Sequence, residues 1–199
     1  MYKYTYKTIS SSTEGIYKEK GSKFLSFAIP VNTVDEIKEI LKEYRKKFFD
    51  ARHVCYAYML GAEHEKFRSN DDGEPSGTAG KPILGQINSR ELTNVLIIVV
   101  RYFGGVLLGT GGLVVAYKEA ASDALNRAEI IEKAVYVEIS IGFDYLLMND
   151  VMRIIKDTNA QISTQTFDNT CSMLLFIRKA DERVLITKLK KINGVLILE

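Results

Sequence analysis

Five of the fourteen glycines fall within nine residues: Gly104, Gly105, Gly109, Gly111 and Gly112, directly after the apolar run Val95 to Val100. A strand, a bend that only glycine tolerates and a helix start with free backbone N–H groups must follow one another there. Such a corner can hold an anion or a partner's backbone. It is not a named phosphate motif: no Gly-Lys-Ser/Thr closes it, and Gly109-Thr-Gly111-Gly112 does not give the G-x-G-x-x-G spacing. Two readings stand side by side, a small-anion site and a tight reversal that lets the helix pack closely on the sheet, and the second is preferred.

The periodicity around this corner predicts an α+β chain. Thr33-Val-Asp-Glu36 is a capping box, and Val34, Ile37, Ile40, Leu41, Tyr44 and Phe48 follow at helical spacing, which predicts a helix over about 33–48. Strands are expected near Thr5 to Glu14, from Lys23 to Val31 and from His53 to Leu60. Residues 63 to 82 read as one long loop leading to a short helix at about 81–88. The uninterrupted run Val95 to Val100 suggests a strand covered on both faces. Beyond the glycines, Leu113, Ala116, Tyr117, Ala120, Ala124 and Ala128 mark the inner face of a helix, with Lys118, Glu119, Ser122 and Asp123 outside. After Glu132 the pattern restarts. It runs as an alternating strand at Val135 to Ile141, a helix capped by Asp144 and two strands at 160–167 and 171–178 turning at Asp168-Asn169. A helix over 181–192 and a last strand, Val195 to Leu198, complete it. Strand, helix, strand, strand, helix, strand is the ferredoxin-like order, so two domains are expected, 1–133 and 134–199.

Several side chains invite chemistry, each beside a plainer reading. Asp71, Asp72 and Glu74 are oxygen ligands at short spacing but lack the EF-hand pattern; Asp72-Gly73 and Glu74-Pro75 suit turns, and carboxylates favour the N-terminus of a following helix. The turn reading is preferred. His53 and Cys55 share one side of a strand, yet no third group orients an imidazole, so Cys55 is read as core and His53 as a polar strand start. Arg101 follows the apolar strand beside Tyr102 and Phe103, and Arg52 precedes the one at His53. A guanidinium there can stack on a base or clamp a phosphate, or it can pair with Asp71, Asp72 or Glu74 and hold the loop to the sheet, the preferred role. Arg45-Lys46-Lys47 reads as a solvated helix face.

The net charge of +2 at pH 7 does not by itself predict nucleic-acid binding. Two distant cysteines read as buried thiols of a reducing compartment, and no apolar run is long enough to span a bilayer, so a cytoplasmic protein is expected. No zinc-ligand spacing exists, and neither a cofactor nor a metal is predicted.

Arg52-His53-x-Cys55, Ser69-x-Asp-Asp-Gly-Glu-Pro-x-Gly-Thr-Ala-Gly-Lys-Pro82 and Val100-Arg101-Tyr-Phe-Gly-Gly-x-x-Leu-Gly-Thr-Gly-Gly-Leu113 together resemble the signature of the YigZ/IMPACT family. The three motifs stand in order with their spacing intact over about residues 15–130. The resemblance implies a first domain like domain 2 of ribosomal protein S-five and a second like the last domain of elongation factor G. Eukaryotic members of the family act as translational regulators, with a companion domain of which this chain shows no sign. No catalytic residues are implied. Carried over position by position, the motif marks Arg52, His53, Asp71, Asp72, Glu74, Gly77, Thr78, Lys81, Arg101, Gly104, Gly105, Gly109, Gly111 and Gly112 as the ligand- or partner-binding set.

The expectation is therefore a non-enzymatic, translation-associated regulator that binds RNA, the ribosome or a translation factor, with loop 69–82, the glycine turn and Arg101 as its surface. On this reading Arg101→Ala weakens binding without unfolding the protein. The alternative is an enzyme or sensor for a small phosphorylated or carboxylated ligand held at the glycine turn.

Overall fold

The run Val95 to Val100 needs apolar cover on both faces, and the larger unit is arranged to give it. In the computed structural model, which describes residues 4–168 and 170–198, the chain forms two compact units. One is Tyr6–Lys133, and the other is made of the described residues from Ala134 onward together with Tyr4 and Thr5.

The elements of the larger unit are β1 (Thr5–Ile9), β2 (Thr13–Glu19), β3 (Ser22–Pro30), α1 (Val34–Lys47), β4 (His53–Leu60), β5 (Lys66–Asn70), α2 (Gly80–Ser89), β6 (Val95–Tyr102), α3 (Gly109–Asn126) and β7 (Ile130–Ala134). Five of them form one sheet in the order β2-β3-β6-β4-β5, with every neighbouring pair antiparallel. β6 is central, and its residues alternate between two cores. Val95, Ile97 and Val99 lie with Ala116, Ala120 and Ala124 of α3, while Leu96, Ile98 and Val100 lie with Ile37 of α1. Burying each such side chain contributes roughly 1.5–3 kcal/mol, which fixes the register of the strand.

α1 begins as its capping box requires: Thr33 Oγ1 accepts the Glu36 N–H at 3.1 Å. The Glu36 carboxylate reaches back to the N–H of Asn32 at 2.8 Å, one residue before the cap. Arg45, Lys46 and Lys47 are exposed, in keeping with the reading of a solvated face; within it Arg45 pairs with Asp72, and the Lys47 ammonium lies 5.2 Å from the centre of the Phe48 ring.

Two corrections concern short strands, and a third strand is unforeseen. The segment expected as one strand near Thr5 to Glu14 is two, because β1 leaves the main sheet to pair with β7. β7 itself carries no alternating pattern that would announce it. The long loop expected over 63–82 contains β5, a polar edge strand hydrogen-bonded to β4; edge strands of this kind are polar because one side faces water.

The smaller unit runs β8 (Tyr136–Phe143), α4 (Met148–Asp157), β9 (Gln161–Phe167), β10 (Cys171–Arg178), α5 (Glu182–Leu189) and β11 (Leu196–Leu198). Its antiparallel sheet has the order β11-β8-β10-β9, over a core that includes Ile141, Val151, Leu175, Leu185 and Leu189. The fold is α+β with the ferredoxin-like element order in this unit. Asp144 caps a 3-10 turn, Tyr145–Leu147, rather than α4 itself, and α5 ends at Leu189, earlier than the periodicity implies. Asn169, half of the expected turn at 168–169, lies outside the described residues. Among the described residues no helix is long and apolar enough to cross a membrane.

Gly104 shows why one of the clustered glycines is structural. A Cβ there would collide with the backbone of Gly21 and Ser22 in the β2–β3 turn, and the Gly104 N–H donates to Ser22 Oγ at 3.2 Å. Gly104→Ala is expected to destabilise the protein by about 2 kcal/mol or more, since backbone rather than a flexible side chain must move. Chemical denaturation of the variant checks this, and an unchanged midpoint would contradict the packing.

Candidate functional site

The register across β3, β6 and β4 places Phe24 beside Arg101 and Arg101 beside His53. All three project to the side of the sheet that packs on α2 and α3, where the turn after β5 folds back over them. Glu74, in that turn, is almost fully buried. Its Oε1 accepts from Arg101 Nη1 at 2.6 Å and from the Tyr117 hydroxyl at 2.7 Å. The side chains of Glu74 and Arg101 are 3% and 8% exposed, so this is a buried ion pair joining the turn, the central strand and α3. The Arg101 guanidinium also lies between two rings, 5.5 Å from the centre of Phe24 and 5.7 Å from that of Phe103. Its Nε is buried with no hydrogen-bond partner among the described residues.

His53 sits beside the pair, its Nε2 3.9 Å from Glu74 Oε1. Its Nδ1 lies 2.8 Å from the carbonyl oxygen of Asp72. A carbonyl only accepts, so Nδ1 carries a proton, and the neutral tautomer that fits this contact has Nε2 as its acceptor. Cys55, two residues on and on the same side, donates to the Asp71 carbonyl at 3.0 Å and contacts the Tyr117 hydroxyl at 3.4 Å. Burial pushes its thiol up to about 12, with the Tyr117 hydroxyl opposing and nearby carboxylates adding to the rise. A thiol so rarely ionised is no nucleophile, and Cys55 is core as expected. Burial, then Cys55 and Glu74, likewise raise the phenol of Tyr117.

The carboxylates of the turn are occupied by the chain itself. Asp71 accepts from the backbone N–H of Gly77, Ala79 and Gly80 at 2.9, 3.0 and 2.8 Å, which supplies the N-terminus of α2 with the cap that Ala79 cannot give. Burial works against the Asp71 charge, but the N–H groups of Gly77, Gly80 and Ala79 outweigh it and hold the carboxyl below its usual range. Asp72 accepts from the Val54 N–H at 2.7 Å and from Arg45. The turn reading of Asp71, Asp72 and Glu74 accords with this network, and among the described residues no cluster has the makings of a metal site.

Beside the ion pair opens a cleft of about 410 Å³, with Arg52, His53, Glu74 and Arg101 at one end and Phe103, Leu107 and the start of α3 at the other. Arg52 is exposed and makes no ion pair or hydrogen bond among the described residues. α3 is 18 residues long, has no side-chain cap and carries no acidic residue in its first turn. Its orphan N–H groups and dipole are therefore uncompensated by the chain. Gly109, at φ +69°, has a conformation that suits glycine, whereas Gly111 has neither a positive φ nor anything within 4 Å of where a Cβ would stand. Nothing in the chain requires glycine at Gly111, which sits in a helix where glycine costs about 1 kcal/mol relative to alanine.

Of the residues marked in the sequence, Arg52, His53, Glu74, Arg101 and Gly109 line this cleft, and Gly111 and Gly112 line a smaller hollow of about 300 Å³ beside Tyr17 and Lys20. Asp71, Asp72, Gly77 and Thr78 build the turn instead; the Thr78 hydroxyl donates to the Pro75 carbonyl at 2.6 Å. Lys81 is exposed on the first turn of α2, Gly104 packs on the β2–β3 turn, and Gly105 is exposed at φ +87°. Sequence reasoning missed Tyr117, read only as a core position, and Phe103 and Leu107, which are 48% and 83% exposed. Their signal was present: a phenol on an alanine-rich helix face, and large apolar residues inside a glycine turn.

Arg101 takes the role preferred from the sequence, pairing with Glu74 and holding the turn to the sheet. Arg101→Ala leaves the Glu74 charge buried and unpaired, and is expected to cost about 3–5 kcal/mol, so the expectation that it weakens binding without unfolding is corrected. Urea denaturation decides this: a loss below about 1 kcal/mol would mean that the pair does not hold the turn. For Asp71 the sign follows from its lowered value. The carboxylate stabilises the fold above its unfolded value of 3.8, and that contribution is lost as pH falls through the lower folded value. Asp71→Asn should therefore lose about 2 kcal/mol at neutral pH, with the gap to the parent protein closing below about pH 3.8. Paired denaturation curves across pH test it, and a gap that stays constant into acid would contradict the capping role.

Comparison with known proteins follows the same geography. Residues 20–125, which carry the whole cleft, match the model of the Impact N-terminal domain. The IMPACT family member YvyE of Bacillus subtilis (strain 168) is 32% identical over 155 residues, spanning 78% of this chain and 71% of that protein. The IMPACT family member YigZ of Escherichia coli (strain K12) is 34% identical over 145 residues, spanning 72% and 71%. A crystal structure of a hypothetical protein superposes with a TM-score of 0.81 at 26% identity, covering 99% of this chain and 98% of that one.

Proposed function

Because the chain belongs to the IMPACT family, we propose that it is a translation-associated regulator of the cytoplasm that acts by binding RNA, with the uncapped start of α3 as its phosphate-holding surface. One observation carries the reading. α3 opens outward at Gly109, Thr110 and Gly111 with no side-chain cap, no acidic residue and open space where a Cβ would stand on the two glycines, next to Arg52, which is unpaired among the described residues. Bare N–H groups at the positive end of a helix suit a phosphate oxygen, and missing side chains let a sugar–phosphate backbone come close. The likeness implied to a ribosomal-protein domain and to the last domain of elongation factor G agrees with such a partner, and the translational role of eukaryotic family members gives it a process.

The acceptors and ion pair in the cleft support binding rather than turnover: Cys55 is un-ionised, and Glu74 is clamped by two donors. Non-enzymatic action at this surface is part of the proposal.

Gly111→Glu tests the surface without threatening the fold. The new carboxylate enters open space in the first turn of α3, where it favours the helix dipole, so the melting temperature should hold or rise. Binding of the parent protein to ribosomes and bulk RNA should fall steeply with salt, by a log–log slope of about −0.7 per phosphate neutralised on single strands. The variant should lose at least about ten-fold in affinity at low salt. Co-sedimentation across a salt series reads both, and equal binding by the folded variant, or no salt dependence, would overturn the proposal.

A further inference from the structure

The cleft beside the phosphate-holding helix start has a floor whose hydrogen-bonding order is itself informative. Glu74 stands in the middle, with Arg101 on one side at 2.6 Å and His53 on the other at 3.9 Å. The two hydrogen bonds to Glu74 both end on Oε1, so the carboxylate keeps acceptor capacity at Oε2. His53 directs its Nδ1–H at the Asp72 carbonyl, so in its neutral tautomer it presents Nε2 as an acceptor. Arg101 lines the cleft and spends one guanidinium N–H on Glu74, so further donors of the same fork remain for a ligand. Read across, the floor offers donor, acceptor, acceptor. Over it stands the half-exposed ring of Phe103, and at the mouth lie Arg52 and Thr110 of the uncapped helix turn.

We infer that this cleft takes one nucleotide unit, with guanine as the preferred base. The inference deepens the RNA-binding reading and rests on it. Guanine alone among the four common bases presents acceptor, donor, donor along one edge, O6, N1–H and the N2 amino group, which is the complement of the floor. Uracil and cytosine each place two acceptors against it, and adenine lacks the second donor. Against each of these at least one buried group of the cleft stays unpaired, and unpaired buried groups are what give a polar site its discrimination. Phe103 supplies a stacking face of the kind single-stranded recognition uses, and the phosphate of the same unit falls to Arg52 and the first N–H groups of α3. The cleft volume of about 410 Å³ accommodates a unit of this size. The same chemistry is offered by a free guanosine monophosphate and by an unpaired guanosine in an RNA strand.

Titration of the intact protein with four single-stranded hexanucleotides, U6 and U6 carrying one central G, A or C, and separately with the four nucleoside monophosphates, tests the inference. Expected is a preference of about ten-fold or more for the G-bearing strand over U6, with Phe103→Ala weakening all four strands by a similar factor of about ten-fold, since every base offers a face to stack. Phe103 is 48% exposed, so this variant should fold. His53→Phe, which removes one acceptor, should relax base preference while leaving the salt slope intact. Equal affinity for all four strands, or a guanine preference untouched in His53→Phe, overturns the inference while the RNA-binding reading stands. Binding of guanosine monophosphate with no strand bound at low salt overturns the RNA reading and keeps the cleft as a free-nucleotide site. Binding of no probe overturns both.

Discussion

One buried carboxylate organises the larger unit. Glu74 comes from an irregular turn, yet it is gripped by an arginine of the central strand and by a phenol of the longest helix. Removing a charge from water costs several kcal/mol, and only close, well-directed partners offset it. The turn is thereby committed to one position. Asp71 and Asp72, on the same turn, then cap α2 and tie down the start of β4. The cleft exists because this turn cannot drift: it forms the gap between a fastened turn and the first turn of α3.

The glycine cluster shows how far a single motif mixes structure with exposure. Gly104 is excluded from any larger residue by the backbone of the β2–β3 turn, and the preferred packing reading describes it well. Gly111 answers to no such constraint, and an alanine there would help the helix. The difference cannot be read from the sequence, where the two glycines look alike. It follows from what stands opposite each Cα, a tertiary property that periodicity does not carry.

Much of the remaining architecture was legible. The unbroken apolar run from Val95 to Val100 announced a strand with cores on both sides, and the capping box at Thr33 located α1. The strand–helix order after residue 134 identified the second fold. Illegible were β5 and β7, whose residues are polar or lack alternation and are strands because a neighbour's edge accepts them. At the site, the sequence named Arg101 and Glu74 as partners among other choices; the β3–β6–β4 register that seats His53 against them could only be seen in three dimensions. Tyr117 was hidden for the opposite reason, since its ring fits a core position and only its hydroxyl betrays the site.

The central claim is that the face formed by Arg52, the glycine turn and the start of α3 is where this protein meets an RNA strand. Backbone amide chemical shifts of isotopically labelled protein, followed while a short single-stranded RNA is added at low salt, test it most directly. The account predicts that the largest changes fall on Arg52 to Val54 and on Phe103 to Leu113, with β9 and β10 unmoved. Changes concentrated on the second unit, or spread evenly over the surface lysines, would contradict it.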